Sequence, residues 1–293
     1  FRYHTDRDNL LQMIYMIMAG YFEDDASDEL TKDPVFKAVL EKSALASQPT
    51  VSRFFNRMDE DTLKQFQEIS QILRKRIYSI QMPQAVILDL DSTLLAAYGK
   101  QEGRAFNFHY RSNGYHPLVC YAGITGDLIK IQLRDGAAYS CTGVTNFLQP
   151  ILDEYLNDYP TIHLLLRGDS GFATPDLYKQ CEENGTSYVI RLMENFIKES
   201  KSGFDFSAVS SHNRIVNANR VQVHALAYNI FNWFRRLVLS AKMRKQRIDT
   251  VRLKLLKIAT KVVHSARYIT FKLCSSCPYG KCFKDILNTL YSN

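Results

Sequence analysis

Three acidic residues occupy positions from which they could share a divalent cation. Asp91 ends a run of β-branched and leucine residues, Asp169 follows a second such run, and Glu194 begins a segment with helical character. Clustered carboxylates repel one another, so a divalent cation is what makes such a cluster favourable. Oxygen ligands suit Mg²⁺, for which Mn²⁺ is a substitute, and a pair of these ions supports in-line phosphoryl transfer. For a single aspartate at a strand end, the alternative is a cap of a turn or helix.

The segment that begins with Glu194 also carries basic residues. Glu194 and Lys201 are separated by two helical turns, and Lys198 lies beside them on the same face of the predicted helix. That face would offer one metal ligand and two ammonium groups to a phosphate. The alternative is a solvent-exposed face with ordinary Glu–Lys pairs.

The succession of strands and helices predicts how the three acids are brought together. We predict an α/β fold with an RNase H-like mixed sheet, in which a three-strand meander is followed by parallel strands added through helical crossovers. In this topology the first and fourth strands are neighbours, so Asp91 and Asp169 lie side by side. With Glu194, their carboxylates should converge to on the order of 4–8 Å. The predicted strands are 85–93, 115–123, 127–136, 161–171 and 186–192, and the predicted helices are 143–158, 175–185 and 193–204.

Regions of different composition flank this core. We predict an all-helical N-terminal region at residues 1–82, a catalytic core at 83–240 and a basic C-terminal tail at 241–293, with helices in the basic C-terminal region. Two short helices within residues 33–58 resemble a helix-turn-helix, which would give the N-terminal region a DNA-binding role. An ordinary helical hairpin fits the same residues.

Charge is distributed unevenly along the chain. From Asp205 to the C-terminus there are 16 Lys and Arg residues against 3 acids, whereas residues 1–204 carry 21 bases and 27 acids. A basic C-terminal third favours a polyanionic partner, and nucleic acid is the commonest one. A solvated basic face without a ligand is the alternative. Besides Lys198 and Lys201, the predicted phosphate contacts are Arg220, Arg235, Arg236 and Arg244.

Two further features narrow the class of protein. The most apolar stretch, from Val221, contains His224 and two arginines and therefore predicts a buried helix rather than a membrane span. Six irregularly spaced cysteines favour free thiols in a reducing cytoplasm. Zinc is the alternative for the last three of them, with His264 upstream, but a convincing fourth ligand is missing. These cysteines are Cys274, Cys277 and Cys282.

Seven short motifs form a recognisable set. They are LDLDST (88–93), GKQEG (99–103), YHPL (115–118), LLLRGDSGF (164–172), YVIRL (188–192), ENFIKESK (194–201) and HALAYNIFNWFRR (224–236). Through them the chain resembles the bacterial insertion-sequence DDE transposases of the DDE group 1 type. The first acid of that family precedes a Ser/Thr pair, which matches Asp91, and the second lies in an RGDSGF element, which matches Asp169. The third belongs to a Tyr-Arg-Glu-Lys signature, whose Glu and Lys match Glu194 and Lys201.

The resemblance implies a function and a setting. It implies a magnesium-dependent DNA transposase that cleaves strands at the ends of an insertion sequence and joins them to target DNA. Its partners would be double-stranded DNA at those ends and at the target, with a homodimer formed on the DNA and no membrane. The setting would be the bacterial cytoplasm, in association with the nucleoid.

One departure from the family pattern concerns the join before Glu194. The family carries a long, largely β insertion between the last strand and the helix of the third acid, whereas here Leu192 runs directly into Met193. Tyr188 and Arg191 have the Tyr-x2-Arg spacing, but too few residues separate Arg191 from Glu194. We predict that the core folds without the insertion and that cleavage is impaired. A DNA-binding remnant of a transposase is therefore an alternative function.

A phosphatase of the haloacid dehalogenase type is the rival enzyme class. The segment VILDLDSTLL matches the nucleophile strand of those enzymes, with Asp89 as the nucleophile and Asp91 as the acid and base. The predicted meander after this segment and the basic C-terminal third favour the transposase. The transposase interpretation expects Asp89 either to point to the environment opposite that of Asp91 or to lie one strand step further down on the same face.

Overall fold

The computed structural model describes residues 4–190, 201, 203–207, 209–258, 260–264, 269–274 and 277–291. The chain divides into two compact units. One unit is Met58–Asn229, and the other combines Phe1–Arg57 with Ile230–Asn293. The boundaries predicted after residues 82 and 240 stay a prediction.

The elements are numbered along the described parts of the chain. The strands are β1 (Ala85–Ser92), β2 (Leu95–Ala96), β3 (Ala105–Asn107), β4 (Ser112–Tyr115), β5 (Leu118–Ala122), β6 (Leu128–Gln132), β7 (His163–Gly168), β8 (Ser187–Ile190), β9 (Thr260–His264) and β10 (Ile269–Leu273). The helices are α1 (Asp6–Ala19), α2 (Ala26–Leu30), α3 (Pro34–Val39), α4 (Gln48–Asn56), α5 (Glu60–Ile80), α6 (Val144–Asp158), α7 (Pro175–Glu183), α8 (Arg214–Leu237), α9 (Ala241–Arg244), α10 (Ile248–Leu255) and α11 (Gly280–Tyr291). A 3₁₀ turn, Ser170–Phe172, lies between β7 and α7.

A five-stranded mixed sheet is the centre of the unit Met58–Asn229. Its strand order is β6-β5-β1-β7-β8, with β1 antiparallel to β5 and parallel to β7. This is the RNase H-like arrangement, so the predicted fold class is confirmed, including the β5–β6 meander and the crossover helices α6 and α7. Of the predicted helix 193–204, residues 201, 203 and 204 are helical, and 191–200 lie outside the described residues.

Alternation along β1 divides its side chains between two environments. Val86, Leu88 and Leu90 are buried, whereas Asp89 and Asp91 lie on the opposite, partly open face. Truncating Leu88 to Ala should cost about 2–5 kcal/mol because it would leave a cavity in close-packed surroundings. The buried cluster around β1 includes Leu118, Cys120, Phe147, Leu148, Ile151, Leu152, Tyr155, Leu166, Phe172 and Leu177.

The outer edge of β6 is closed by polar side chains of α8. Asn229 accepts a hydrogen bond from the Leu128 N–H and donates one to the Leu128 carbonyl, both at 2.8 Å. Gln222 donates to the Ile131 carbonyl at 2.8 Å. The predicted buried helix is thus present as α8, and it pairs with the sheet edge much as another strand would. No helix in the described part of the chain is long and apolar enough to cross a membrane.

A small second sheet was not predicted. It has the strand order β2-β4-β3 and fills the connection between β1 and β5. Two of its strands have only two and three residues, which is too short for an alternation of apolar and polar residues to be recognised.

The second unit combines the N-terminal helices with the C-terminal segment. Helices α3 and α4 form where the sequence predicted them, each with a proline in its first turn, and a DNA-binding role for them stays a prediction. The C-terminal segment also contains the antiparallel hairpin β9–β10, which was not predicted. Arg252 is buried and donates to the Met18 and Ile17 carbonyls at 2.9 and 3.1 Å, so it binds the C-terminal end of α1 to α10.

Candidate active site

Asp91 and Asp169 lie at the carboxyl ends of two neighbouring parallel strands. The β1–β7 register pairs Asp89 with Arg167. Asp91 and Asp169 each follow two residues later, so the two acids occupy matching positions at one edge of the sheet. Asp91 still pairs with Val119 of β5, whereas Asp169 begins the 3₁₀ turn. The arrangement agrees with the topology from which their proximity was predicted.

Each of these carboxylates accepts a local backbone hydrogen bond. The Asp91 Oδ1 accepts from the Ser92 N–H at 2.6 Å, and the Asp169 Oδ1 accepts from the Gly171 N–H at 2.8 Å. Asp169 is therefore also a turn cap, which was the alternative stated for a single aspartate. Both side chains are partly exposed.

Lys201 lies against the residues that follow Asp91. Its Nζ donates to the Thr93 Oγ1 at 3.2 Å and to the Leu94 carbonyl at 3.0 Å. Burial lowers the pKa of Lys201, and the negative charge of Asp91 partly offsets this effect. The structure therefore brings this predicted basic residue to the first acid.

The third acid cannot be located in the same way. Glu194 and Lys198 lie outside the described residues, so the predicted convergence of three carboxylates stays a prediction. Within the described ranges, no group of three or more His, Cys, Asp or Glu side chains could hold a metal ion. Asp91 and Asp169 nevertheless fit a divalent cation chemically, because both supply hard oxygen donors from adjacent strand ends.

Asp89 differs from Asp91 although both residues lie on the same face of β1. Its two oxygens accept from the Arg167 Nε and Nη2, each at 2.6 Å, and this bond raises the pKa of Arg167. A Cβ at Gly123 would lie 2.4 Å from the Asp89 carboxylate, so only glycine leaves room for the pair. Asp89 is thus neutralised by a bidentate partner. This pairing and the antiparallel neighbour β5 contradict the phosphatase alternative, which needs Asp89 as a nucleophile.

A loop that sequence reasoning missed contacts both acid-bearing segments. The Ser140 Oγ accepts a hydrogen bond from the Ser92 Oγ at 3.0 Å. On the other side, a Cβ at Gly171 would meet the Ser140 Cβ at 3.1 Å. Ser140 therefore lies between the residue after Asp91 and the turn capped by Asp169.

Arg134 holds this loop in place. Its side chain is only 8% exposed, and it donates to four backbone carbonyls rather than to a carboxylate. The acceptors are His116 at 2.9 Å, Tyr139 at 3.1 Å, Ser140 at 3.1 Å and Thr142 at 2.7 Å. Burial lowers the pKa of Arg134 to about 10. No sequence signal marks such a residue, because every residue offers a carbonyl.

The predicted phosphate contacts fall into two groups. Arg220 is 7% exposed, so its guanidinium offers a phosphate almost no surface, which argues against the predicted DNA contact at this residue. Arg235 and Arg236 are half-buried, and Arg235 donates to Asn232 at 2.9 Å. Arg244 is exposed and donates through its Nε to the Leu239 carbonyl at 2.7 Å. Of the four predicted arginines, Arg244 is therefore the most accessible to a DNA phosphate.

The cysteines agree with the predicted free thiols. Cys120, Cys141, Cys181, Cys277 and Cys282 are free thiols, and Cys120 and Cys181 are buried. The Cys282 thiol lies 3.1 Å from the Met243 sulfur. Within the described residues, the last three cysteines belong to no group of three or more His, Cys, Asp or Glu side chains that could hold a metal ion, and the zinc alternative stays a prediction.

Comparison with known proteins assigns the chain to a family. The family model for the transposase DDE domain, group 1, matches residues 2–193 and 192–292. The chain belongs to this family. In this DDE transposase chain, Asp91 and Asp169 lie at matching strand ends of the RNase H-like sheet. The match consists of two stretches that meet at residues 192 and 193, where the sequence lacks the expected insertion.

Solved structures of transposases resemble the chain at low sequence identity. The catalytic domain of Mos1 mariner transposase is 9% identical over 61% of this chain and 93% of its own, with a TM-score of 0.29. The piggyBac transposase synaptic complex with hairpin DNA is 10% identical over 85% of this chain and 70% of its own, with a TM-score of 0.38. No curated protein matches this DDE transposase chain.

Proposed function

We propose that the chain is a DNA transposase that cleaves and joins strands by magnesium-dependent, in-line phosphoryl transfer at the ends of an insertion sequence. The observation that carries the proposal is the matching position of Asp91 and Asp169 at the carboxyl ends of β1 and β7, with Lys201 beside the residues that follow Asp91. In the reaction, a hydroxyl oxygen attacks a phosphodiester, one P–O bond forms and the opposite P–O bond breaks.

The residues at this edge of the sheet have different roles in the proposed reaction. Asp91 and Asp169, joined by Glu194, would hold Mg²⁺ or Mn²⁺. When bound, the cation makes a hydroxyl a better nucleophile and offsets charge on the leaving oxygen. Lys201 uses two ammonium protons on Thr93 and Leu94, which leaves the third for a phosphate of the bound strand.

Residues behind the acids keep their geometry fixed. Arg167 neutralises Asp89, so that the charge left for a cation is that of the two acids at the strand ends. Arg134 and Ser140 brace the segments that carry those acids. Such support matters because a displacement of about 1 Å at reacting groups can cost on the order of 100-fold in rate.

The basic C-terminal segment supports DNA as the partner. Residues 230–293 contain 14 Lys and Arg residues against 2 acids. Exposed members of this set include Lys242, Arg244, Lys245 and Arg247. Phosphate contacts of this kind position a duplex without reading its sequence. A homodimer on paired DNA ends and a bacterial, nucleoid-associated setting belong to the same proposal.

A catalytically impaired, DNA-binding remnant is the second candidate function. The observation that favours it is the break of the family match at residues 192 and 193. A segment missing between Leu192 and Met193 would remove the Tyr and Arg of the family signature, which the resemblance assigns to the end of the insertion. The acids and basic surface would then bind DNA without efficient cleavage.

A plasmid-nicking assay tests both candidates. Wild-type protein, Asp169→Asn and the exposed surface control Asp176→Asn would be compared in Mg²⁺, Mn²⁺ and EDTA, with DNA binding measured in parallel. We expect metal-dependent nicking by wild type and by the control, and none by Asp169→Asn. Binding without nicking by the wild type would identify the remnant. Neither binding nor nicking would refute both functions.

A further inference from the structure

The hairpin formed by β3 and β4, residues 105–115, exposes aromatic rings to solvent. Phe106 is 43% exposed, Phe108 86% and Tyr110 40%. Single exposed apolar side chains are common on protein surfaces, but several on one short hairpin mark an interaction site. We refer to residues 105–115 as the aromatic hairpin.

Two of these rings form a corner. The Phe106 and Phe108 centroids are 5.2 Å apart, and the ring planes meet at 85°. A flat aromatic ligand could stack on the exposed face of Phe108 while its edge meets Phe106. Nucleobases are such ligands, and every base offers a π-face to an aromatic side chain.

The turn that carries the rings is held in one conformation. The Asn107 Oδ1 accepts from the His109 and Tyr110 N–H groups at 3.1 and 3.2 Å, and its Nδ2 donates to the Gly136 carbonyl at 2.9 Å. A Cβ at Gly136 would lie 2.4 Å from the Ala105 carbonyl oxygen, so two backbones touch at that point. A preorganised turn spares the ligand the entropy cost of ordering it.

The aromatic hairpin is continuous with the edge that carries the acids. The Tyr110 hydroxyl donates to the Ser92 carbonyl at 3.3 Å, and Ser92 directly follows Asp91. The Tyr110 ring also packs on His116 with centroids 5.8 Å apart. A ligand on the hairpin would therefore be a neighbour of whatever strand lies at Asp91.

Charge around the rings suits a polyanion. Residues 98–116 contain Lys100, Arg104 and Arg111 but Glu102 as their only acid, and Lys100 and Arg111 are exposed. Basic groups that accompany exposed rings are the combination that binds single-stranded nucleic acid. We propose that the aromatic hairpin binds an unpaired DNA base next to the carboxylate edge, by stacking on Phe108 against Phe106. This inference rests on the proposed DNA transposase function.

The test compares two DNA duplexes that differ in one position. One carries a single unpaired 2-aminopurine, and the other is fully paired; affinity is measured for both in EDTA. For Phe108→Leu we expect about a tenfold loss of affinity for the unpaired-base duplex and none for the paired one. Tenfold corresponds to about 1.4 kcal/mol, which is within the range for one stacked base. Phe108→Trp should keep the affinity and quench the 2-aminopurine fluorescence.

Ile72→Ala is the control, because Ile72 is also an exposed apolar side chain, at 66%, but lies on α5, outside both the aromatic hairpin and the basic C-terminal segment. It should leave the preference for the unpaired base unchanged. An equal loss of preference in this control, or a Phe108→Leu protein that behaves as wild type, would overturn the stacking site. If wild type nicks the plasmid and binds both duplexes equally, only this inference fails. If wild type neither binds nor nicks, the proposed function itself fails.

Discussion

Two charged regions of the molecule differ in how their charges are partnered. One is the carboxylate edge, which comprises Asp89, Asp91 and Asp169 on β1 and just after β7, and the other is the basic segment of residues 230–293. At the edge, each carboxylate has a fixed partner: the Ser92 N–H for Asp91, the Gly171 N–H for Asp169 and Arg167 for Asp89. In the basic segment there are 14 Lys and Arg residues and 2 acids, so positive charge far exceeds the negative charge available within it.

The difference reflects two kinds of interaction. A divalent cation is coordinated over distances of about 2.0–2.6 Å, so the position of each ligand matters. Attraction to a polyanion comes from counterion release, which adds up over many phosphates and tolerates movement of any one basic group. A single substitution should therefore be severe at the edge and mild in the basic segment.

Replacing one edge acid should give the largest effect. We expect Asp91→Asn to reduce metal-dependent nicking more than about 100-fold, because loss of groups that merely orient metal ligands already costs about 10–100-fold. DNA affinity in EDTA should stay equal or rise slightly, since a negative charge is removed. If nicking and DNA affinity fell together, the assignment of cleavage to the carboxylate edge and of DNA affinity to the basic segment would be wrong.

Low pH should lower the stability of the unit Met58–Asn229, which contains the carboxylate edge, because His224 is buried there in its neutral form. Burial lowers the pKa of His224 to about 4, and its Nδ1 lies 2.6 Å from the Phe204 carbonyl. Since the unfolded chain takes up this proton near pH 6.5, stability is lost as pH falls from about 6.5 to 4, by up to about 3 kcal/mol. Urea unfolding across this range should show the loss in wild type and a flatter profile in His224→Gln.

Replacing Arg134, which holds the loop around Ser140, should have an intermediate effect on nicking. In Arg134→Met, four backbone carbonyls lose their hydrogen-bond donor, and Ser140 is no longer held in position. We therefore expect nicking to fall about 10–100-fold, whereas DNA affinity in EDTA should not change. Lys130→Met is the matched control, because Lys130 is a half-buried cation that also donates to a backbone carbonyl, that of Phe147. Equal losses in the two variants would assign Arg134 to general stability.

The smallest effects should come from the basic segment. Combined replacement of Lys242, Arg244, Lys245 and Arg247 by Gln should lower the slope of log affinity against log salt by about 0.9 for each phosphate that is no longer neutralised. Arg244→Gln alone should change the slope by less than about 1. An unchanged slope in the combined variant would move the DNA interface elsewhere.

Sequence reasoning placed Asp91 and Asp169 at the ends of neighbouring strands because the surroundings of both residues are local. The apolar runs that end at Asp91 and precede Asp169 fix two buried strands, and topology rules make those strands neighbours. Lys201 followed from helical spacing. The pairing of Asp89 with Arg167 depends on strand register, which no spacing along the chain reveals.

Other features escaped because they depend on tertiary contacts. Arg220 counts as a positive charge in the sequence whether it is buried or exposed, and it proved to be buried. Arg134 binds carbonyls, and the strands of the aromatic hairpin are too short to show a period. The C-terminal hairpin β9–β10 was missed within a segment judged mainly by its charge.

Because Asn229 covers the outer edge of β6, this edge stays uncovered during part of the synthesis of the protein. The hydrogen bonds between Asn229 and Leu128 join residues 101 positions apart. At about 5–20 residues per second, a ribosome needs roughly 5–20 s to reach Asn229 after Leu128. During that interval β6 is an open edge on a nascent chain. The edge of β6 is therefore protected from pairing with other chains only when α8 has emerged.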